Sequence, residues 1–78
     1  MKKELLVKEI LKDIYNVIIN DMDVLAYLKL DSKNNIIVEY RKTFIEDSLL
    51  ISFFDIGFSD EEHFINDYTN IIIEKLFQ

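Results

Sequence analysis

The sequence predicts a small α+β domain of order α-β-β-β-α, a three-stranded antiparallel sheet with helices packed on one face. Three observations lead there. Both ends carry long apolar stripes at helical spacing, two β-branched runs flank a polar turn in the middle, and a single glycine, Gly57, interrupts the chain before the last stripe. The 78 residues fit one domain, residues 1–78, and half of them are hydrophobic. That is too apolar for a disordered chain.

The first helix is expected from about Lys3 to Asn20. Leu6, Ile10, Leu11, Ile14, Val17 and Ile18 recur at three- and four-residue intervals, with Lys8, Lys12, Asp13 and Asn16 on the other face. Glu4 precedes Lys8 by four residues, the favourable order for a helical ion pair. The stretch Asn20-Asp21-Met22-Asp23 reads as the exit turn.

Strands are expected at Val24 to Leu30 and Ile36 to Lys42, around the turn Asp31-Ser32-Lys33-Asn34-Asn35. Asparagine tolerates the left-handed backbone that such turns require. Thr43 to Phe58 has two readings. As a strand, Leu49 to Ile56 is a third hairpin arm after a turn at Glu46-Asp47-Ser48. As a helix, Ile45, Leu49 and Phe53 share a face. The strand is preferred for the composition of Ile51-Ser52-Phe53-Phe54 and for Gly57 as its stop.

In the last helix, Ser59 is the expected N-cap and Glu62 completes a capping box. Asp60, Glu61 and Glu62 fill the first turn, where the helix dipole favours anions. Phe64, Ile65, Tyr68, Ile71, Ile72 and Leu76 form the apolar stripe.

Charge is distributed unevenly. Of the net −6, residues 1–42 contribute +1 and residues 43–78 contribute −7, with Lys75 the only base among eight acids. Such a half repels phosphate backbones, so no direct nucleic-acid partner is expected. A basic protein surface is a physically sensible partner.

Catalytic chemistry finds few parts. There is no cysteine, which excludes disulfides and thiolate metal sites and suggests a cytoplasmic setting. The N-terminus lacks signal-peptide character and no run approaches membrane-spanning length, so no membrane partner is expected. The one histidine, His63, stands four residues before Asp67 and three after Asp60, too few ligands for zinc. No EF-hand, phosphate loop or serine triad is present. Neither an enzyme nor a cofactor is expected. The α-β-β-β-α order is also that of double-stranded RNA-binding domains, but Asp60-Glu61-Glu62 stands where those carry lysines.

Helix capping alone accounts for the acidic helix start. The sharper reading joins Asp60, Glu61 and Glu62 with Glu46, Asp47, Asp55 and Asp67 in one partner-binding patch. The run from Ser59 to Tyr68 resembles the last-helix segment of a family of small acidic phage anti-CRISPR proteins. The resemblance covers ten residues, supported by length, acidity, a leading helix and central strands. It implies a DNA mimic in the cytoplasm of a bacterial host, inhibiting a basic nucleic-acid-binding protein such as a CRISPR nuclease. Asp60, Glu61, Glu62 and Asp67 would then face DNA-holding arginines. The chain departs from that family over the family's additional middle helix, which here would have to be Thr43 to Phe58, the stretch for which a strand is preferred. The alternative is a protein–protein interaction module or homodimer with no mimicry. Tyr15, Tyr27, Tyr40, Phe44, Phe53, Phe54 and Phe58 are many aromatics for so small a core.

Overall fold

The computed structural model describes residues 2–45, 49–57 and 59–77. Helix α1 spans Lys2–Asn20, strands β1, β2 and β3 span Leu25–Leu30, Ile36–Arg41 and Leu49–Ile51, and helices α2 and α3 span Phe53–Ile56 and Glu61–Leu76. The α+β class and the antiparallel three-stranded sheet are as the sequence predicts.

Helix α1 buries Val7, Leu11, Ile14 and Ile18, a four-three-four spacing that keeps one line of side chains on the core. The stripe therefore begins at Val7 rather than Leu6, which is 46% exposed. The helix closes where the Asn20 side chain donates to the Asn16 carbonyl, and the Asp21 carbonyl then accepts from the Val24 N–H.

The β1–β2 turn is built on Asp31. Its carboxylate accepts from the Lys33 and Asn35 backbone N–H groups at 2.8 and 2.9 Å, which holds its pKa below the ordinary value. Asn34 takes the left-handed conformation at φ 63°, which asparagine adopts at modest cost. The ladder runs regularly from Leu25↔Arg41 to Leu30↔Ile36.

The stretch after β2 departs from expectation. Strand character ends at Ile51, and the chain turns at once into α2. Ser52 starts that helix through a capping box: its hydroxyl accepts from the Phe54 N–H, and Asp55 accepts from the Ser52 N–H. Gly57 stops α2 instead of a strand. Nor is β3 an arm of a β2 hairpin. It pairs with β1, through Ala26↔Ile51 and Leu28↔Leu49, giving the order β2-β1-β3. The expected turn at Glu46-Asp47-Ser48 lies outside the described residues.

The helices lie on the sheet face that carries Ala26, Leu28 and Ile51, and the shared core adds Val7, Leu11, Ile14, Ile18, Ile56, Phe64 and Ile72. Helices α1 and α3 run antiparallel. Tyr15 stacks tilted on Phe64 at 5.8 Å, while Lys3 lies 4.2 Å over the Phe77 ring at the other end. Thr69 is the one buried polar side chain among the described residues, and its hydroxyl donates to the Ile65 carbonyl. The other sheet face carries Tyr27, whose hydroxyl donates to the Thr43 carbonyl at 3.1 Å and accepts from the Ile45 N–H at 2.7 Å. A groove of about 200 Å³ runs beside it, between Lys29, Glu39, Arg41 and Ile45. No helix among the described residues is long and apolar enough to cross a membrane.

Candidate functional site

The acids of the C-terminal half sit mainly on α3, and the first question is which of them come together. The N-cap is Asp60, one residue after the expected Ser59. In extended conformation (φ −76°, ψ 172°), it accepts the His63 N–H at 2.8 Å. Aspartate and serine cap about equally well, and Asp60 adds favourable charge at the positive helix end. With Asp60 as cap, Glu62 is not the box partner, and its side chain is exposed.

The same Asp60 oxygen meets His63 Nδ1 at 2.8 Å, with the two side chains 66% and 75% exposed. Two backbone and side-chain hydrogen bonds from His63 hold the Asp60 carboxyl below the ordinary aspartate value. His63 is correspondingly raised, first by its bond to Asp60, then by the Asp60 charge, and further by Glu62 and Asp67. Asp60 meets the imidazole directly, while Glu62 and Asp67, one residue before it and four after, act on it only through their charge. Glu61 is half-buried and Asp67 is exposed one turn further along.

Asp55 is placed differently. Its Oδ2 accepts from the Ser52 N–H at 2.6 Å and the Ser52 hydroxyl at 3.0 Å, and its Oδ1 accepts from the Tyr68 hydroxyl at 2.9 Å. Burial, with this bond second, pushes the Tyr68 pKa up to about 12. Asp55 therefore clamps α2 to α3, and its hydrogen-bonding capacity is largely committed inside the molecule. Glu46 and Asp47 fall outside the described residues.

Chemically, the α3 cluster is a set of ionised acceptors. Every described carboxylate with a perturbed pKa, namely Asp31, Glu39 and Asp60, is shifted downward, toward the charged form. Among the described residues no group of three or more His, Asp or Glu side chains is arranged to hold a metal ion. Such acceptors suit arginine, whose fork pairs with a carboxylate as it does with phosphate.

The clamp between Asp55 and Tyr68 has no sequence signature, because it links residues thirteen apart across two elements. The Ser52 cap did have one, the serine-x-x-acid spacing. Of the aromatics singled out, Tyr27 is buried, Tyr15 and Phe53 pack against the core, and Tyr40, Phe44 and Phe54 are exposed; Phe58 is outside the described residues. The chain matches no known protein family, no curated protein and no solved structure.

Proposed function

We propose that the chain is a binding protein that occupies a nucleic-acid-binding surface on a basic partner protein, its carboxylates standing in for phosphates. The observation that supports this is the exposure of Asp60, Glu62 and Asp67 at the cap and first turns of α3, in a half of the chain that carries −7. Charge-assisted bonds from partner arginines supply affinity, and the acidic field speeds encounter. Of the acids put forward as contacts, Glu62 and Asp67 are the freest, Asp60 shares its charge with His63, and Asp55 serves the fold first.

The resemblance of Ser59 to Tyr68 to the anti-CRISPR family nominates CRISPR nucleases as the first partners to try, and on that reading the chain would work in an infected bacterial cell. The test is the double charge reversal Glu61→Lys with Glu62→Lys, with Glu61→Gln and Glu62→Gln as the neutral control. The protein is titrated against CRISPR nucleases and other basic DNA-binding proteins at low and moderate salt, with DNA competition read alongside. Binding that is salt-sensitive, excludes DNA and disappears in the lysine variant while circular dichroism is unchanged agrees with the proposal. A complex that survives charge reversal rules it out.

A further inference from the structure

Strand β2 is the outer strand of the sheet, six residues long against three for the opposite edge β3. Its outer backbone groups can be assigned. The Asp31 N–H donates to the Asn35 carbonyl at 2.9 Å, and hydrogen-bonded pairs alternate along an antiparallel ladder from there. Ile37, Glu39 and Arg41 therefore bond to β1, while Ile36, Val38 and Tyr40 turn their N–H and C=O groups outward.

Proteins usually blunt such an edge with proline, a bulge, an inward-pointing charge or a covering element. This chain contains no proline, and the β1–β2 register is regular from Leu25↔Arg41 to Leu30↔Ile36. Glu39 and Arg41 point to the open sheet face, where they pair with each other at 2.9 Å. Four of the six residues are exposed, two of them the large apolar side chains Ile37 and Tyr40, and Phe44 just beyond is 66% exposed. Unlike the acidic remainder, the half that holds this edge is nearly neutral, at +1 over residues 1–42.

We propose that the end of β2, residues 39–41, pairs antiparallel with the same residues of a second copy about a twofold axis at Tyr40, joining the two three-stranded sheets edge to edge. Charge selects both the occupant and the register. Centred on Tyr40, the pairing sets Glu39 opposite Arg41 of the second copy, and does so twice. Centred on Glu39 it would oppose two carboxylates, and centred on Val38 it would set Glu39 against Ile37. Outward backbone groups of Tyr40 then bond their own counterparts, and the two phenol rings meet on the helical side. The proposal does not involve the α3 acids and stands or falls separately from the phosphate-mimic reading.

The test is the mass in solution of the intact chain across a concentration series, for the wild type and for two single charge reversals. The wild type is expected to reach twice its 9.3 kDa. Glu39→Arg and Arg41→Glu each convert two attractive cross-strand pairs into repulsive ones, and each alone should weaken the dimer roughly tenfold or more. Mixed in equal amounts they should dimerise with each other, because one then offers only cations and the other only anions. Tyr40→Pro removes an outward N–H and leaves the bonds to β1 in place, so it should give a folded monomer; should that variant unfold, the mixing experiment carries the test alone. A wild type that stays at 9.3 kDa into the millimolar range, a dimer indifferent to either reversal, or variants that fail to rescue each other on mixing would overturn the proposal.

Discussion

At the scale of single residues, His63 is the most informative side chain. It is the only histidine, it is exposed, and three carboxylates bias its titration. Its pKa is raised in the folded chain, so the protonated ring contributes stability that is complete below the ordinary value of 6.5 and fades as pH rises through the higher folded value. Asp60 has the opposite sign: its depressed pKa contributes above the ordinary value of 3.8 and is lost as pH falls through the lower folded one. An NMR titration of the imidazole should give a midpoint above 6.5, and Asp60→Asn should lower it while preserving the cap, since an amide oxygen still accepts the His63 N–H. The residual upward shift would come from Glu62 and Asp67; a midpoint at or below 6.5 in the wild type would mean that Asp60 does not hold the imidazole as described. Proximity of His63 to Asp60 and Asp67 was legible in the sequence, because helical spacing alone sets it. The choice of Asp60 over Ser59 as cap was not, because both residue types cap well and one step of register decides between them.

At the scale of elements, legibility followed length. Helices α1 and α3, of 19 and 16 residues, are long enough for several repeats of an apolar period, and β1 with β2 are long enough to show a hairpin. Strand β3 and helix α2, of three and four residues, are each shorter than one informative period, so the intervening stretch could be read either way. What positions them is tertiary: β3 takes the free side of β1, and Asp55 ties α2 to Tyr68. The link between β2 and β3 is likewise held from outside itself, by the Tyr27 hydroxyl acting as donor and acceptor at once. Tyr27→Phe strands the Ile45 N–H, and the loss should be about 1–3 kcal/mol. Urea unfolding measures it, and a midpoint unchanged from wild type would show that the pin carries no weight.

For the whole molecule, the core is a single cluster into which α1, β1, β3, α2 and α3 all send side chains. Phe64 is its largest member at 1% exposure, touching Tyr15 on one side and Tyr68 on the other. Phe64→Ala should cost about 3–5 kcal/mol. A domain of this size holds only on the order of 5–10 kcal/mol in all, so thermal melting should show the variant largely or wholly deprived of a cooperative transition. A sharp transition near the wild-type temperature would mean that the core does not depend on it. Molecular charge adds a separate pattern: the core is shared by both halves of the chain, but the bases that offset the acids lie almost wholly in the first, so the two proposed surfaces lie in different electrostatic surroundings. Complexes made through α3 should dissociate as salt is added, whereas strand pairing at β2, in which backbone bonds and apolar contact accompany the two Glu39–Arg41 pairs, should weaken less.

Gly57 closes α2 at φ 57° and ψ −129°, donating its N–H to the Phe53 carbonyl. A side chain there would find room, since the nearest atom to an added Cβ is the Phe54 carbonyl oxygen at 3.7 Å. Only the backbone forbids it, because L-residues avoid this region of conformational space whatever surrounds them. Position 57 is thus tied to glycine by conformation alone, whereas Asp55 and Ile56 before it are held by their contacts. Phe54, which is 92% exposed, meets no such restriction, whereas any L-residue at position 57 would carry the strain of a positive φ.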